Sequence, residues 1–440
     1  MADRNLRPDR RGLLAGLGAA AVGPVWGLTP LAGAIAQPPP RLALTARAGA
    51  PGKPDGLLWT SGGVASDHAG GLRRGDSLEF TFDNELPVPA LLNWHGLDGV
   101  QAAEPLAAQA SLSAGLKQKL QIPLGQAGSF LCDLRLLGDS QGRPARALAL
   151  IVGESETLAV DRDEIFLLED WRLRPDGTAL APGSDARDAD RLYTVNGETS
   201  RVIQLRRNER LRLRVINGFQ RTVIAVKIES FDVRVMALDS QPAEPFLARN
   251  GALLLAPGAR IDAFIDATAP AGSKADILLH DGQEARPIGR LMVSDEPPLR
   301  AAPLPPAPPL PANPLPARLD LKNARRFALL LGGPAAGWAA VPGFNASSAP
   351  AFRAKVGRTV VLALTNRAAT ATVFHLHGHH FRLLDRLDDG WKPFWLDTLA
   401  IEPGQTERVA FAADYRGHWL LEAMAADWAA PRLVWWYSVE

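Results

Sequence analysis

Hydrophobic and polar residues alternate over three stretches of this chain, and each stretch predicts a β-strand. Residues 75–84, 208–217 and 357–366 each begin at a turn residue, alternate apolar with polar side chains and close on an asparagine. Alternation with a period of two between turn residues is typical of a half-buried strand. Because the copies lie a whole domain length apart, they indicate repeated domains rather than a solenoid of short units.

A second repeated element supports the same plan. Residues 257–265 and 403–411 each combine a Pro-Gly turn with another alternating strand, and residues 123–125 are a weaker first instance. Three similar sets of strands and turns predict an all-β protein of three β-sandwiches.

Three arginines, the only cysteine and six tryptophans are interpreted as structural residues. Arg210, Arg212 and Arg214 alternate with apolar residues, so we expect them on the solvated face of a strand. The only cysteine, Cys132, can form no disulfide within the chain and is expected in the core. Six tryptophans are expected in the core and between sheets, with an exposed subset as an alternative partner-binding patch: Trp391, Trp395, Trp419, Trp428, Trp435 and Trp436.

Composition agrees with a globular, turn-rich β protein. Of the 440 residues, 47% are hydrophobic and 22% are charged, and Gly (40) and Pro (36) are abundant. The formal net charge of +1 gives no reason to expect nucleic acid or another polyanion as a partner. Between residues 296 and 316 the chain is Pro-rich, which predicts a semi-rigid, extended connector. A ligand for proline-recognising domains is the alternative.

The N-terminal stretch has the features of an export signal. Arg10 and Arg11 precede apolar and small residues up to about residue 35, and Ala34 and Ala36 form an A-x-A cleavage site. The paired arginines favour the twin-arginine route. We therefore expect residues 1–36 to be removed, and the mature chain to lie in the periplasm without a transmembrane segment. A membrane anchor is the alternative.

Two short motifs point to a metal-binding family. Residues 93–97 are NWHGL and residues 374–379 are FHLHGH. They resemble the first and third copper motifs of the multicopper oxidases, HWHG and HPxHLHGH. The resemblance runs from about residue 42 to residue 440 and includes Asn196-Gly197 and residues 396–398. It is closer to the bacterial periplasmic branch than to plant or fungal laccases.

The resemblance implies an all-β fold of three cupredoxin-like Greek-key β-sandwich domains. The expected boundaries are a twin-arginine signal peptide at 1–36, domains at 37–152, 153–295 and 318–440, and a Pro-rich linker at 296–317.

The resemblance also implies where copper would bind. In this family, His-rich motifs of the first and third domains hold three coppers between them, and a fourth copper in the third domain has two His ligands and a Cys. His95, His375 and His377 stand at ligand positions of the three-copper site. Without the Cys, there is no blue copper to accept electrons, so the resemblance implies no working four-copper oxidase. The ligand positions filled by other residues are Asn93, Asp133, Arg135, Thr372, Glu422, Ala423, Met424 and, for the last, Asp427 or Trp428.

On one side of the copper site that the resemblance implies, two of the replacing residues are interpreted as a substitute for the metal. Arg135 and Glu422 would flank one copper position, and we predict that they form an ion pair in place of the metal. The alternative is that they point elsewhere. His380 and His418 lie beside the motifs but out of ligand register.

On the other side of that copper site, the remaining residues could bind a single metal ion. His95, His375 and His377 are the residual candidate ligands, and Asp133 and Met424 are weaker ones. Such a donor set would hold at most one ion, with copper as the candidate. The alternative is that these histidines are hydrogen-bonded core residues without metal.

Three functions follow as hypotheses. The first is a non-catalytic periplasmic scaffold acting through its surface on an unidentified protein partner, similar in logic to the exported division protein that has this fold without copper. The second is a copper-binding oxidoreductase or copper carrier that uses the residual site. The third is a subunit whose missing ligands come from another chain.

Overall fold

The structure, a computed structural model, describes residues 39–61, 64–66, 68–332, 337–385 and 390–440. The predicted signal peptide, residues 1–36, lies outside these ranges. The regular secondary structure of the described chain is almost entirely β-strand, and the strands form six sheets arranged as three cupredoxin-like Greek-key sandwiches. This confirms the predicted fold class. None of the helices in the described ranges is long and apolar enough to cross a membrane.

The first sandwich comprises residues 41–153. Its elements are β1 (Arg41–Arg47), β2 (Gly56–Ser61), β3 (Val64–Ser66), β4 (His68–Arg73), β5 (Ser77–Asn84), β6 (Asn93–His95), a 3-10 turn (Gln101–Ala103), β7 (Lys117–Pro123), β8 (Gly128–Asp133), α1 (Arg135–Gly138) and β9 (Leu148–Gly153). One sheet has the order β3-β2-β1-β5-β7 and the other β4-β9-β8-β6. Trp59, Phe80 and Trp94 pack together in the core between them.

The second sandwich comprises residues 162–293. Its elements are β10 (Arg162–Leu173), β11 (Asp190–Val195), β12 (Arg201–Leu205), β13 (Arg210–Asn217), β14 (Ile224–Ile228), β15 (Arg234–Leu238), β16 (Gln241–Leu247), a 3-10 turn (Arg249–Gly251), β17 (Ala252–Leu255), β18 (Arg260–Asp266), β19 (Lys274–His280) and β20 (Ala285–Val293). The sheet orders are β11-β10-β13-β18-β15-β16 and β12-β20-β19-β14-β17, and their facing sides form an aliphatic core.

The third sandwich comprises residues 325–439. Its elements are β21 (Arg325–Leu331), β22 (Ala339–Ala340), a 3-10 turn (Val341–Gly343), β23 (Arg353–Ala354), β24 (Arg358–Asn366), β25 (Thr372–Leu376), β26 (Arg382–Leu383), β27 (Thr398–Ile401), β28 (Thr406–Ala413), β29 (Gly417–Ala425) and β30 (Arg432–Val439). The sheet orders are β21-β24-β28-β26 and β22-β30-β29-β25-β27, and β23 pairs with β30. Of the six predicted core tryptophans, Trp391 and Trp435 are partly buried and the other four are buried.

The repeated asparagine has one role in all three sandwiches, which explains the sequence repeat. Asn84, Asn217 and Asn366 end β5, β13 and β24 and are completely buried. In each, the amide Nδ2 donates to two backbone carbonyl oxygens and Oδ1 accepts from the backbone N–H two residues later. A short side chain with both donor and acceptor groups satisfies the irregular backbone at the end of the strand.

A glycine turn contacts each of these asparagines. Gly115, Gly258 and Gly404 donate their N–H groups to the main-chain oxygens of the three asparagines at 2.7, 2.8 and 3.0 Å. The prediction that residues 123–125 are the first instance of this turn was therefore wrong, since Pro123 ends β7. The first copy lacks the proline that precedes glycine in the other two, so the sequence pattern did not reveal it.

Arg210, Arg212 and Arg214 are buried, so the prediction of a solvated strand face was wrong. Arg212 binds Asp262 at 2.6 Å and also binds Glu154, the residue that follows β9 of the first sandwich, at 2.9 Å. Arg214 also contacts the first sandwich, because it donates to the Ser129 hydroxyl at 2.9 Å. Alternation shows which residues share a face, but a neighbouring sandwich, not water, covers this face.

The Pro-rich segment, residues 296–316, contains no strand or helix and lies along the first and second sandwiches. We call it the strap. Arg210 donates to the Pro305 carbonyl at 2.8 Å, and Arg74 donates to the Ala312 carbonyl. Asn313 is buried and both donates to and accepts from the backbone of Ala127 at 2.9 Å.

Candidate functional site

The two motifs at residues 93–97 and 374–379 meet where the first and third sandwiches pack together. His95 ends β6, His375 lies on β25 and His377 follows that strand. In the antiparallel pair of β25 and β29, His375 lies opposite Glu422. The rings of His95 and His375 stack with centroids 4.0 Å apart. Strand register therefore brings these four buried side chains into one cluster.

Glu422 is the centre of this cluster. Its Oε1 accepts hydrogen bonds from His377 Nε2 at 2.7 Å, Asn93 Nδ2 at 3.0 Å and His375 Nδ1 at 3.2 Å. Its Oε2 accepts from Arg432 Nη1 at 2.6 Å. Although burial opposes ionisation, Arg432 and the two histidines hold the pKa of Glu422 well below its usual range, so it is a carboxylate.

The three histidines of the cluster differ in charge. Burial lowers the pKa of His377, but Glu104 at 3.1 Å and Glu422 outweigh it and raise the pKa to about 10. Burial lowers the pKa of His95 and of His375, and each is lowered further by a neighbouring imidazole. At neutral pH, His377 is an imidazolium while His95 and His375 are neutral.

Further charged residues extend the cluster into a buried network of ion pairs. Arg432 also approaches Asp139 at 3.5 Å, and Arg221 binds Asp139 at 3.1 Å. The network contains as many cations as carboxylates, so it neutralises itself without a metal. Its acidic members are Glu104, Asp133, Asp139 and Glu422, and its basic members are Arg135, Arg221, His377 and Arg432.

The predicted ion pair between Arg135 and Glu422 is not formed, so that prediction was wrong. Arg135 Nε lies 3.0 Å from Asp133, and its Nη1 donates to the Gly218 carbonyl at 2.8 Å. Arg432 binds Glu422 instead. It begins β30, which pairs with β29, and lies outside every copper motif, so motif comparison did not indicate it. A charged residue at the start of an otherwise apolar strand was the only available signal.

His375, His377 and Glu422 could hold a metal ion, because each places one ligand atom within 4.8 Å of the others. Two of these residues were predicted as ligands, whereas Glu422 was assigned to an ion pair. His95 stacks on His375 without joining the group, and its Nδ1 has no hydrogen-bond partner among the described residues.

The weaker candidates and the flanking histidines have other partners. Asp133 binds Arg135, and the sulfur of Met424 accepts from Arg221 at 3.0 Å. His380 binds Asp98 at 2.7 Å, and His418 packs against Trp436. Asp133, His380 and His418 do not belong to the group of His375, His377 and Glu422.

These residues do not fit the four-copper set of the resembled family. The position expected for the thiolate is Ala423, and Thr372 donates its hydroxyl to Asn366 at 2.9 Å. The cavity beside His95 and Glu422 has a volume of about 20 Å³, room for about one water molecule. A single ion at His375, His377 and Glu422 would lie near the Arg432 guanidinium, which binds the other oxygen of the carboxylate.

Comparison with known proteins agrees with the fold and the motifs. Residues 318–437 match the multicopper oxidase family. Among solved structures, the chain resembles a multi-copper oxidase from Pseudomonas thermotolerans with 24% identity, coverage of 91% of this chain and 98% of that one, and a TM-score of 0.75. It also resembles Lac15 from a marine microbial metagenome (24% identity, coverage 91% and 100%, TM-score 0.71) and the McoA multicopper oxidase of Aquifex aeolicus (15%, 92% and 97%, 0.71). No curated protein matches the chain in sequence.

The resemblance inferred from the motifs is thereby confirmed. The third sandwich matches the multicopper oxidase family in sequence, and the chain as a whole has the fold of the solved bacterial multicopper oxidases.

Proposed function

We propose that this protein is a non-catalytic, copper-free scaffold that acts in the periplasm by binding a protein partner. One observation carries the proposal: Arg432 holds Glu422 at 2.6 Å in the cluster where the resemblance implies copper. A guanidinium bonded to the carboxylate supplies the positive charge that a metal would supply. The periplasmic location rests on the signal-like residues 1–36.

The electrostatics of the cluster support this proposal. Metal binding would require His377 to lose a proton held by two carboxylates, and it would place an ion near the Arg432 guanidinium that Glu422 Oε2 binds. Both features oppose the affinity for an ion, because ligands must be deprotonated before they coordinate and like charges repel. We expect the network to be retained as the packing of this interface.

The test is metal content after copper loading and desalting, together with the melting temperature. Wild-type protein should retain under about 0.2 copper per chain and show no rise in melting temperature, since an ion bound to the native state must stabilise it. Arg432→Gln is the matched control, because it frees Glu422 while leaving both histidines in place. One tightly held copper per wild-type chain, lost in both His375→Ala and His377→Ala, would overturn the proposal.

A mononuclear metal protein is the second candidate. It is favoured by the convergence of His375, His377 and Glu422, and by the unpartnered Nδ1 of the adjacent His95. Retention of one ion by the monomer would support this candidate. Retention only in an oligomer would instead support a subunit completed by ligands from a second chain.

A further inference from the structure

A second buried ionic cluster lies where all three sandwiches meet. Asp98 follows β6 of the first sandwich, Asp239 and Arg260 belong to the second, and His380 and Asp397 belong to the third. None of these side chains is more than 3% exposed. We call this group the junction cluster. Because each sandwich contributes a charged member, the cluster can form only when the three are packed together.

The tip of a hairpin in the second sandwich is the centre of this junction. Asp239 and Ser240 connect β15 to β16 with positive φ angles of 45° and 68°. The Asp239 carboxylate accepts the backbone N–H groups of Arg260, Asp397 and Thr398 at 3.0 to 3.3 Å. The Ser240 hydroxyl donates to the Ser129 carbonyl of the first sandwich. The hairpin tip is therefore bonded to both neighbouring sandwiches.

The hydrogen bonds of His380 define its protonation state. One ring nitrogen lies 2.7 Å from the Asp98 carboxylate, and the other lies 2.6 Å from the main-chain oxygen of Asp239. A carbonyl oxygen and a carboxylate both accept, so both ring nitrogens must donate. Only imidazolium has two N–H donors.

Charge balance leads to the same conclusion. The junction cluster contains three carboxylates, but Arg260, paired with Asp397 at 2.7 and 3.0 Å, is its only permanent cation. Buried carboxylates without compensating charge are strongly unfavourable. A proton on His380 removes part of the excess negative charge, and a proton on Asp239 removes the rest.

We propose that the junction cluster is a proton-dependent latch between the three sandwiches: packing the sandwiches together takes up protons at His380 and Asp239, so that acid tightens the junction and alkali loosens it.

The pKa values of His380 and Asp239 are both raised, as the proposal requires. Burial lowers the pKa of His380, but Asp98 and Asp397 raise it to about 9, while burial and the nearby Asp397 raise the pKa of Asp239 to about 6. The stability from His380 is fully present below its unfolded value of 6.5 and is lost as pH rises through 9. For Asp239 the corresponding window lies between 3.8 and 6, and stability again falls as pH rises.

Other groups face the latch and restrict the useful pH window. Within the cluster, Arg260 and Asp397 act on His380, and outside it Gln241 contacts the His380 ring while His379 and Tyr415 lie beside the cluster. Burial lowers the pKa of His379 to about 4, so His379 stays neutral above pH 6.5. His377 loses its proton in the same alkaline range, so a comparison of variants is needed rather than the wild-type slope alone.

The experiment compares urea unfolding of the protein at pH 6.5 and pH 9. His380→Gln keeps hydrogen-bonding groups at this position but cannot take up the proton. The wild-type folding equilibrium constant should fall between these pH values by about a hundredfold more than that of His380→Gln. His418→Gln, at an exposed histidine outside the junction cluster, should behave as wild type.

Asp98→Asn provides an independent variant if His380→Gln does not fold. It removes the carboxylate that holds the proton on His380, so its pH dependence above 6.5 should also be weaker than that of wild type. Equal pH dependence in wild type and in the folded variants would overturn the latch.

Discussion

At the scale of single residues, Arg432 and Glu422 form the most consequential contact. Both side chains are at most 5% exposed, and the pair links β30 to His375 and His377. Removing two charges from water is costly, and a buried pair is tolerable only when further hydrogen bonds satisfy both partners. Here Asn93, His375 and His377 satisfy the carboxylate, and Asp139 lies beside the guanidinium.

A double-mutant cycle tests this contact. Arg432→Ala and Glu422→Ala should each lower the free energy of unfolding by about 3–5 kcal/mol, because each leaves the other charge buried without its partner. The double variant should lose clearly less than the sum. Urea denaturation measures all three. Strictly additive losses would contradict a coupled pair.

An exposed ion pair provides the control for that cycle. Arg41 binds Glu79 at 2.6 Å, but its side chain is 77% exposed. Solvent and salt screen such a pair, so Arg41→Ala should leave the unfolding midpoint unchanged within error.

At the scale of elements, the repeated asparagines fix the strand ends. Asn217 illustrates the cost of losing one, because Asn217→Ala would remove a hydrogen-bond partner from each of two carbonyls and one N–H. We expect a loss of about 3 kcal/mol in the free energy of unfolding, and similar losses for Asn84→Ala and Asn366→Ala. Thermal and urea unfolding measure it. If Asn217→Ala cost no more than Asn323→Ala, at an exposed asparagine, the amide would not be required.

Alanine substitutions at two equivalent glycine turns distinguish the cost of backbone strain from the cost of a clash between sandwiches. Gly258 and Gly404 occupy the same turn of the second and third sandwiches, with φ angles of 90° and 74°. A Cβ on Gly258 would lie 2.7 Å from the His95 ring, whereas a Cβ on Gly404 would have nothing within 4 Å. Gly258→Ala should therefore cost about 1–3 kcal/mol more than Gly404→Ala. Equal losses in urea unfolding would show that His95 is not held by this close approach.

The sequence predicted the strands better than it predicted which residues contact them. Alternation and turn residues correctly indicated β5, β13 and β24, because these signals are local. The partner of Glu422 could not be found in this way, since Arg432 reaches it from a neighbouring strand. Likewise, nothing local in the sequence distinguishes a strand face covered by water from one covered by another sandwich, which is why Arg212 was misplaced.

At the scale of the whole molecule, Asn313 is a buried attachment point of the strap. Besides its two bonds to Ala127, its Nδ2 donates to Ser240 and Gln241 of the second sandwich, each at 3.1 Å. One amide therefore joins the strap to two sandwiches. Its loss would affect the strap before it affected any sheet.

Limited proteolysis tests the role of Asn313. Asn313→Ala should release the strap and speed tryptic cleavage at the flanking Arg300 and Arg318 several-fold, because proteases cut segments that detach from the surface. Asn345→Ala, in an exposed loop of the third sandwich, is the control. Unchanged cleavage in Asn313→Ala would mean that other contacts hold the strap.

The buried guanidinium groups of β13 imply that the three sandwiches, although similar in strand layout, cannot replace one another. Arg212 binds Glu154, which follows the first sandwich in the chain, and Arg214 binds Ser129 of the first sandwich. Exchange of the second sandwich for a copy of the first or third would leave Glu154 without a cation, although the strand layout would survive. Recombination among the repeats of this gene is thus constrained by matching charges across their borders.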